Sequence, residues 1–266
     1  MNSAELSNDA FALLVVSGID KLFGGLKALD GCSFTVAEAT VTGVIGPNGA
    51  GKSTMIDVIS GFGKPFRGTV QFAGREIQHL TPHQISRLGV VRTFQVAREW
   101  PHLTVMENLL AAAPRWEQES AWRALVRRND LRDQTAADCA AGRQLLREWG
   151  LQHLENEYAG NLSGGQKRLL EFGRILMARP RLALLDEPLA GVHPRLSASI
   201  CEAIEMLRGE GITVLIVEHN LSVIETVCTS VLAMAEGRPI ARGSMAELRG
   251  NSAVIDAYLG DMPSNA

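Results

Sequence analysis

The sequence predicts an α/β fold with a helical lobe set into its middle. Three observations carry this. An apolar run, Val41 to Ile45, passes through Gly46-Pro47-Asn48-Gly49-Ala50-Gly51-Lys52-Ser53-Thr54 into Met55-Ile56-Asp57-Val58-Ile59, which is the order strand, glycine loop, helix. A second apolar run, Leu182 to Leu185, ends in Asp186-Glu187-Pro188, with strand and helix patterns alternating after it. Between the two, residues 115–160 are dominated by charge and alanine and hold few β-branched runs.

The bulk properties bound the function. A chain of 266 residues fits one α/β domain with insertions or two small lobes. Hydrophobic residues at 46% and charged residues at 21% argue against disorder. A net charge of −3 without a long basic run gives no footprint for nucleic acid, so none is expected as a partner. Cys32, Cys139, Cys201 and Cys228 lie far apart without C-x-x-C spacing, and read as buried thiols in a reducing compartment rather than a metal site. No apolar run approaches the roughly 18 to 20 residues that span a bilayer. Met1 to Ala10 carries Glu5 and Asp9 and no basic segment, so it is not read as a secretory signal. The expected location is cytosolic, or on a membrane through a partner.

Taken in order, Leu13 to Ile19 reads as a strand, Phe23-Gly24-Gly25-Leu26 as a turn and Cys32 to Val36 as a half-buried strand. The helix after the glycine loop should end near Gly61, a C′ glycine. Gly68 to Phe72 is a strand closed by Gly74. Thr81-Pro82-His83-Gln84 and Thr104-Val105-Met106-Glu107 are capping boxes that open helices, the second running through Ala113. Between them Gly89 to Phe94 is a strand that ends at Gln95. The middle stretch predicts helices over Gln118 to Arg128 and Ala136 to Trp149, whose mixed charges suit a solvated face. Then come a helix over Gln166 to Met177, the Leu182 strand, a helix over Pro194 to Arg208 and a strand over Ile212 to Val217 ending near His219. A helix over Leu221 to Val227 precedes strands Ser230 to Met234 and Pro239 to Arg242, joined at Gly237. Ser244-Met245-Ala246-Glu247 caps a short helix, and Ala253 to Leu259 forms another.

The chemistry sits where loops follow strands. The glycines of residues 46–51 let backbone N–H groups converge on one anion, and the following helix adds the positive end of its dipole. Lys52 can reach β- and γ-phosphates, and the Ser53 hydroxyl can sit on Mg²⁺. Asp186, ending an apolar strand, can hold the same Mg²⁺, and Glu187 can polarise an attacking water. Asn161-Leu162-Ser163-Gly164-Gly165-Gln166 is a second glycine turn entering a helix, with the Ser163 hydroxyl and the Gly164 and Gly165 N–H groups available to an anion. One nucleotide needs one cradle, so the second loop is read as serving a nucleotide held by another subunit.

These motifs together resemble an ABC transporter nucleotide-binding subunit: G-P-N-G-A-G-K-S-T at 46–54, Thr93-Phe94-Gln95, L-S-G-G-Q at 162–166, L-A-L-L-D-E-P at 182–188 and Glu218-His219. A narrower pattern is similar to the ATP-binding subunits of branched-chain amino acid importers. It comprises Phe23 to Gly31, Val91 to Gln95, Leu103 to Leu109, Val217-Glu218-His219-Asn220 and Ala257-Tyr258-Leu259-Gly260. Urea and amide importers share much of it. The resemblance implies a P-loop NTPase core with a mainly parallel sheet, plus an antiparallel β subdomain. Core and β part would cover about 11–95 and 161–243, a helical subdomain about 96–160, and short C-terminal helices about 244–260. It implies ATP and Mg²⁺ as cofactors and ATP hydrolysis as the reaction. Phe23 would stack on adenine, and Gln95 would contact Mg²⁺ or the attacking water. His219 would contact the γ-phosphate and hold Glu187, while Ser163 to Gln166 would close over a partner's ATP. Implied partners are integral membrane permease subunits, a second ABC ATPase subunit, identical or sister, and indirectly a solute-binding protein. Trp100, Pro101 and His102 are candidates for the permease docking surface, with core packing the alternative for Trp100. The implied location is the cytoplasmic face of the bacterial inner membrane. An exporter ATPase and a soluble ABC ATPase stand as rival readings. One departure is His193, five positions after Pro188, where the family carries Asp or Asn.

Overall fold

The structure, a computed structural model, describes residues 12–93, 99–113, 128–192 and 194–259. Phe94, Gln95 and His193, and the predicted helix over 118–127, lie outside the described residues. In chain order the elements are β1 (Ala12–Phe23), β2 (Leu26–Ala37), β3 (Val41–Ile45), α1 (Lys52–Ile59), β4 (Arg67–Phe72), β5 (Arg75–Glu76), α2 (Pro82–Arg87) and β6 (Val90–Arg92). There follow α3 (Val105–Ala112), α4 (Arg128–Glu148), α5 (Gly164–Ala178), β7 (Leu182–Asp186), α6 (Pro194–Gly209) and β8 (Thr213–Val217). The chain continues with α7 (Leu221–Val227), β9 (Ser230–Ala235), β10 (Arg238–Gly243), α8 (Met245–Arg249) and α9 (Ser252–Leu259).

The chain forms two compact units, the first Met1–Thr93, Arg181–Leu189 and Ile204–Ala266, the second Phe94–Pro180 and Ala190–Ala203. The first holds both sheets. One has four antiparallel strands in the order β2-β1-β4-β5. The other has six in the order β10-β9-β3-β8-β7-β6, parallel from β9 to β6 with β10 antiparallel at the edge. Strands β3, β7 and β8 are buried along their whole length, which is why they read as unbroken apolar runs. One apolar core serves both sheets, with Leu14, Ile19, Phe34 and Phe72 from the antiparallel sheet meeting Met55, Ile56 and Ile59 of α1 and Leu184, Leu215 and Met234 of the parallel one.

In the second unit α3 packs on α4 and α5. Buried Asn108 ties the approach segment to α3: its amide donates to the carbonyls of Trp100, Leu103 and Thr104, and its oxygen accepts from the Trp100 N–H. All three capping boxes read from sequence are formed, at Thr81, Thr104 and Ser244, each contributing about 1 kcal/mol to its helix.

Three readings need correction. Strands β1 and β2 run past Leu13–Ile19 and Cys32–Val36 to meet at the Gly24-Gly25 turn. Antiparallel pairing, continuing through Phe23 opposite Leu26, sustains residues that lack a strand pattern of their own. Helix α4 begins at Arg128 rather than Ala136. Of the four cysteines only Cys32 is buried; the others are partly exposed, and none forms a disulfide. Burial pushes the Cys32 thiol up to about 12, so it stays protonated.

Candidate functional site

The parallel strands bring the chemistry of the first unit to one sheet edge. Along the carboxyl ends stand the glycine loop after β3, Glu218 and His219 after β8, Asp186 and Glu187 at β7, and Arg92 at β6. Register fixes the order, since Val217 pairs with Val44 on one side and Asp186 on the other. The carboxyl edge of an open α/β sheet is where ligands bind.

The glycine loop is held tightly. Gly46 has φ 151°, and a Cβ there would stand 2.2 Å from the Met234 carbonyl oxygen, so only glycine fits. Gly51 takes a left-handed φ of 95° and starts α1. Lys52 is buried, and its ammonium donates to the carbonyls of Gly46 at 2.7 Å and Pro47 at 2.8 Å. The cation is thus curled over the glycine loop. Burial raises the phenol of Tyr258, on α9, above the ordinary value, with the Gly46 backbone opposing that. Close by, an apolar crevice of about 230 Å³ is lined by Ile45, Leu221, Met245, Leu248, Val254 and Tyr258 among others.

The acidic pair divides into two environments. Asp186 is buried, its Oδ2 accepts from Arg92 at 3.1 Å, and its Oδ1 has no hydrogen-bond partner among the described residues. Burial raises its pKa above the ordinary value; Arg92 opposes that, while Glu187 and Asp57 add to it. Glu187 adopts φ 48°, left-handed and uncommon for a residue with a Cβ. Its Oε1 lies 2.7 Å from Nε2 of His219, whose side chain is 47% exposed. His219 is positioned by the residue before it: buried Glu218 accepts from the His219 N–H at 3.1 Å and from the Leu189 N–H at 2.8 Å. An orphaned buried carboxylate oxygen and the exposed Ser53 hydroxyl suit a hard cation that takes few protein ligands and completes its shell with water and phosphate. Among the described residues there is no group of three or more His, Cys, Asp or Glu side chains that could hold a metal ion.

Phe23 is 55% exposed, with the Lys21 ammonium 5.0 Å from its ring centre, so it is not a core residue.

In the second unit the Ser163 loop is built differently. Ser163 is the N-cap of α5, its oxygen accepting from the Gln166 N–H, while the Gln166 side-chain oxygen accepts from the Ser163 N–H and hydroxyl, both at 2.9 Å. Ser163 and Gly164 are exposed. A Cβ at Gly165 would meet Leu196 Cδ1 at 1.9 Å, so that position is closed to any side chain unless Leu196 moves. Trp100 is 41% exposed, the Arg174 guanidinium lies 4.0 Å from its ring centre, and Pro101 and His102 are exposed. The exposure removes core packing as the reading for Trp100.

The fold brings the loop, Asp186, Glu187 and His219, all singled out from sequence, to one edge of the parallel sheet. Sequence reading missed Arg92, the anchoring by Glu218 and the capping box at Ser163. The last was legible, since S-x-x-Q at 163–166 is the serine counterpart of the T-x-x-Q recognised at Thr81.

The sequence profile of the ABC transporter family matches residues 29–190, and that of the branched-chain amino acid ATP-binding cassette transporter matches residues 238–262. The chain is 39% identical over 252 residues to the high-affinity branched-chain amino acid transport ATP-binding protein BraF of Pseudomonas aeruginosa, covering 94% of this chain and 98% of that protein. It is 34% identical over 250 residues to the corresponding LivG protein of Escherichia coli K12, covering 94% and 98%. Among solved structures, a nucleotide-free ATP-binding cassette from an ABC transporter superposes with TM-score 0.77 at 34% identity, covering 94% of this chain and all of that one. The ADP conformation of the cassette MJ1267 gives TM-score 0.77 at 36% identity, covering 94% and 99%.

Proposed function

We propose that this chain, which belongs to the ATP-binding subunits of ABC transporters and is an ATPase, powers the import of branched-chain amino acids. The proposal rests on the names of its relatives and on the profile match over residues 238–262. For the hydrolytic step one observation carries most weight, the 2.7 Å contact between Glu187 and His219 on the sheet edge that bears the glycine loop.

The loop N–H groups and Lys52 hold the phosphates, and Phe23 stacks on the adenine. Ser53, Asp186 and Gln95 hold Mg²⁺, which neutralises phosphate charge when bound. Glu187 takes the proton of the attacking water, while His219 orients that carboxylate and faces the γ-phosphate. Ser163 to Gln166 cover the γ-phosphate of ATP bound by a second ATPase subunit, so closure of the pair is favoured by ATP and lost on hydrolysis. Permease subunits docked at Trp100, Pro101 and His102 would convert this motion into transport of solute delivered by a binding protein. No helix of the described residues is long and apolar enough to cross a membrane, in keeping with attachment to its inner face through those partners.

Glu187→Gln tests the hydrolytic assignment. Phosphate release should fall about 10²-fold or more while fluorescent ATP still binds. Turnover near the wild-type rate would remove Glu187 from the role of base. Reconstitution with the permease subunits and uptake of labelled leucine, urea or amides decides the solute.

A further inference from the structure

Two aligned carboxylates and one arginine set an unexplained geometry beside the glycine loop. The Arg92 guanidinium spans from β6 to two elements at once. One nitrogen donates to Oδ1 of Asp57 at 2.6 Å and to the Ser60 hydroxyl at 3.1 Å, both near the end of α1. The other donates to Oδ2 of Asp186 at 3.1 Å. The Arg92 and Asp186 side chains are only 11% and 8% exposed, so the contact is weakly screened. The ring of Phe62 lies 5.6 Å from the guanidinium carbon. Thr93, next along, accepts from the Asp186 N–H at 3.2 Å, so the end of β6 grips both the backbone and the side chain of Asp186.

Asp57 is four residues after Ser53 on α1, and residues so spaced lie on one helix face. Arg92 therefore joins the helix face of Ser53 to the carboxylate of Asp186. Its hold on Oδ2 leaves Oδ1, which lacks a partner among the described residues, as the oxygen available to a cation. Only a planar fork with separate N–H groups can reach two carboxylates this way; an ammonium is a single point.

We propose that Arg92 is a positioning residue for divalent metal, bracing Ser53 and Asp186 against each other across β6 and α1. The inference rests on the proposed metal role of those two residues. It competes with a simpler electrostatic role, and the two predict opposite signs. A guanidinium acting only as a charge beside Asp186 would repel a cation, so its removal would tighten metal binding. A brace, once removed, loosens it.

The test is equilibrium binding of a fluorescent ADP analogue, first in EDTA and then titrated with Mg²⁺. Arg92→Gln should raise the Mg²⁺ concentration for half-effect about tenfold, the scale of losing a group that orients a metal ligand. Affinity in EDTA should hold. Arg92→Lys should fall between the two. Asp57 is partly exposed, so Asp57→Asn should fold; it should shift Mg²⁺ dependence in the same direction, and the double variant should exceed neither single shift by much, because Asp57 acts through Arg92. An unchanged or lowered Mg²⁺ requirement in Arg92→Gln, or additive shifts, overturns the brace. Absence of binding in the wild-type protein would instead overturn the nucleotide-site reading.

Discussion

The sheet edge of the first unit and the Ser163 loop of the second both present glycine-started helices, yet they differ in how their polar groups are satisfied. At the sheet edge, buried Lys52 is turned onto loop carbonyls, buried Asp186 has an oxygen without a partner among the described residues, and Glu187 stands at a left-handed φ. At Ser163 the serine and Gln166 cap groups satisfy one another, and Ser163 and Gly164 are exposed. The first region carries its need for a ligand in its own construction. The second has none until another surface approaches. A half-site of the kind proposed for Ser163 would therefore look finished when seen alone.

Lys52→Ala should break the contrast most strongly. Loss of a buried charge-assisted contact, about 2 to 3 kcal/mol, should weaken ATP binding by the isolated chain about 10²-fold in a fluorescence titration. Retained affinity would mean the sheet edge is not the primary nucleotide site.

Ser163→Asp separates the loop's two roles. Aspartate caps a helix as well as serine does, so the thermal midpoint should hold within about 1 °C. A negative charge set against a partner's phosphates should still cut turnover of the assembled transporter about 30-fold, at roughly 2 kcal/mol, with ATP binding by the isolated chain unchanged. Turnover at the wild-type level would sink the shared-site proposal, and a fallen midpoint would show that the loop's work is structural.

The smallest effect concerns Asp186. Its pKa is raised in the fold, so the native state holds more proton than the unfolded chain, and stability falls as pH rises through the window that opens near the ordinary value of 3.8. Asp186→Asn removes that part of the slope. Midpoints from about pH 4 to 7 should decline less in the variant, whose midpoint at neutral pH should rise slightly while ATP hydrolysis is lost. An unchanged slope would mean that Arg92 fully offsets the burial.

The fold was largely legible because its signals are local. Strands β3, β7 and β8 announce themselves as apolar runs, and three helices begin at capping boxes written in four consecutive residues. The phosphate loop and the acidic pair are local motifs too. What escaped depends on distance along the chain. Arg92 meets Asp57 and Asp186, 35 and 94 residues away, and the Val91 to Gln95 pattern that contains it says nothing of those two partners. The length of β1 and β2 was hidden differently, since Lys21 and Lys27 lie in strands only by virtue of the Leu29 and Leu22 that face them across a tight turn. At Ser163 the miss was of another kind: the glycines suggested an anion, and the cap formed by Gln166 went unread.

Tyr258, on the last helix of the described chain, lines one apolar crevice with Ile45, the residue before the glycine loop. Trimming the carboxyl end is thus no neutral edit. Serial deletions that reach α9 would open the crevice beside the glycine loop, and a drop in ATP affinity from such shortening would report on that packing, not on a tail with a task of its own.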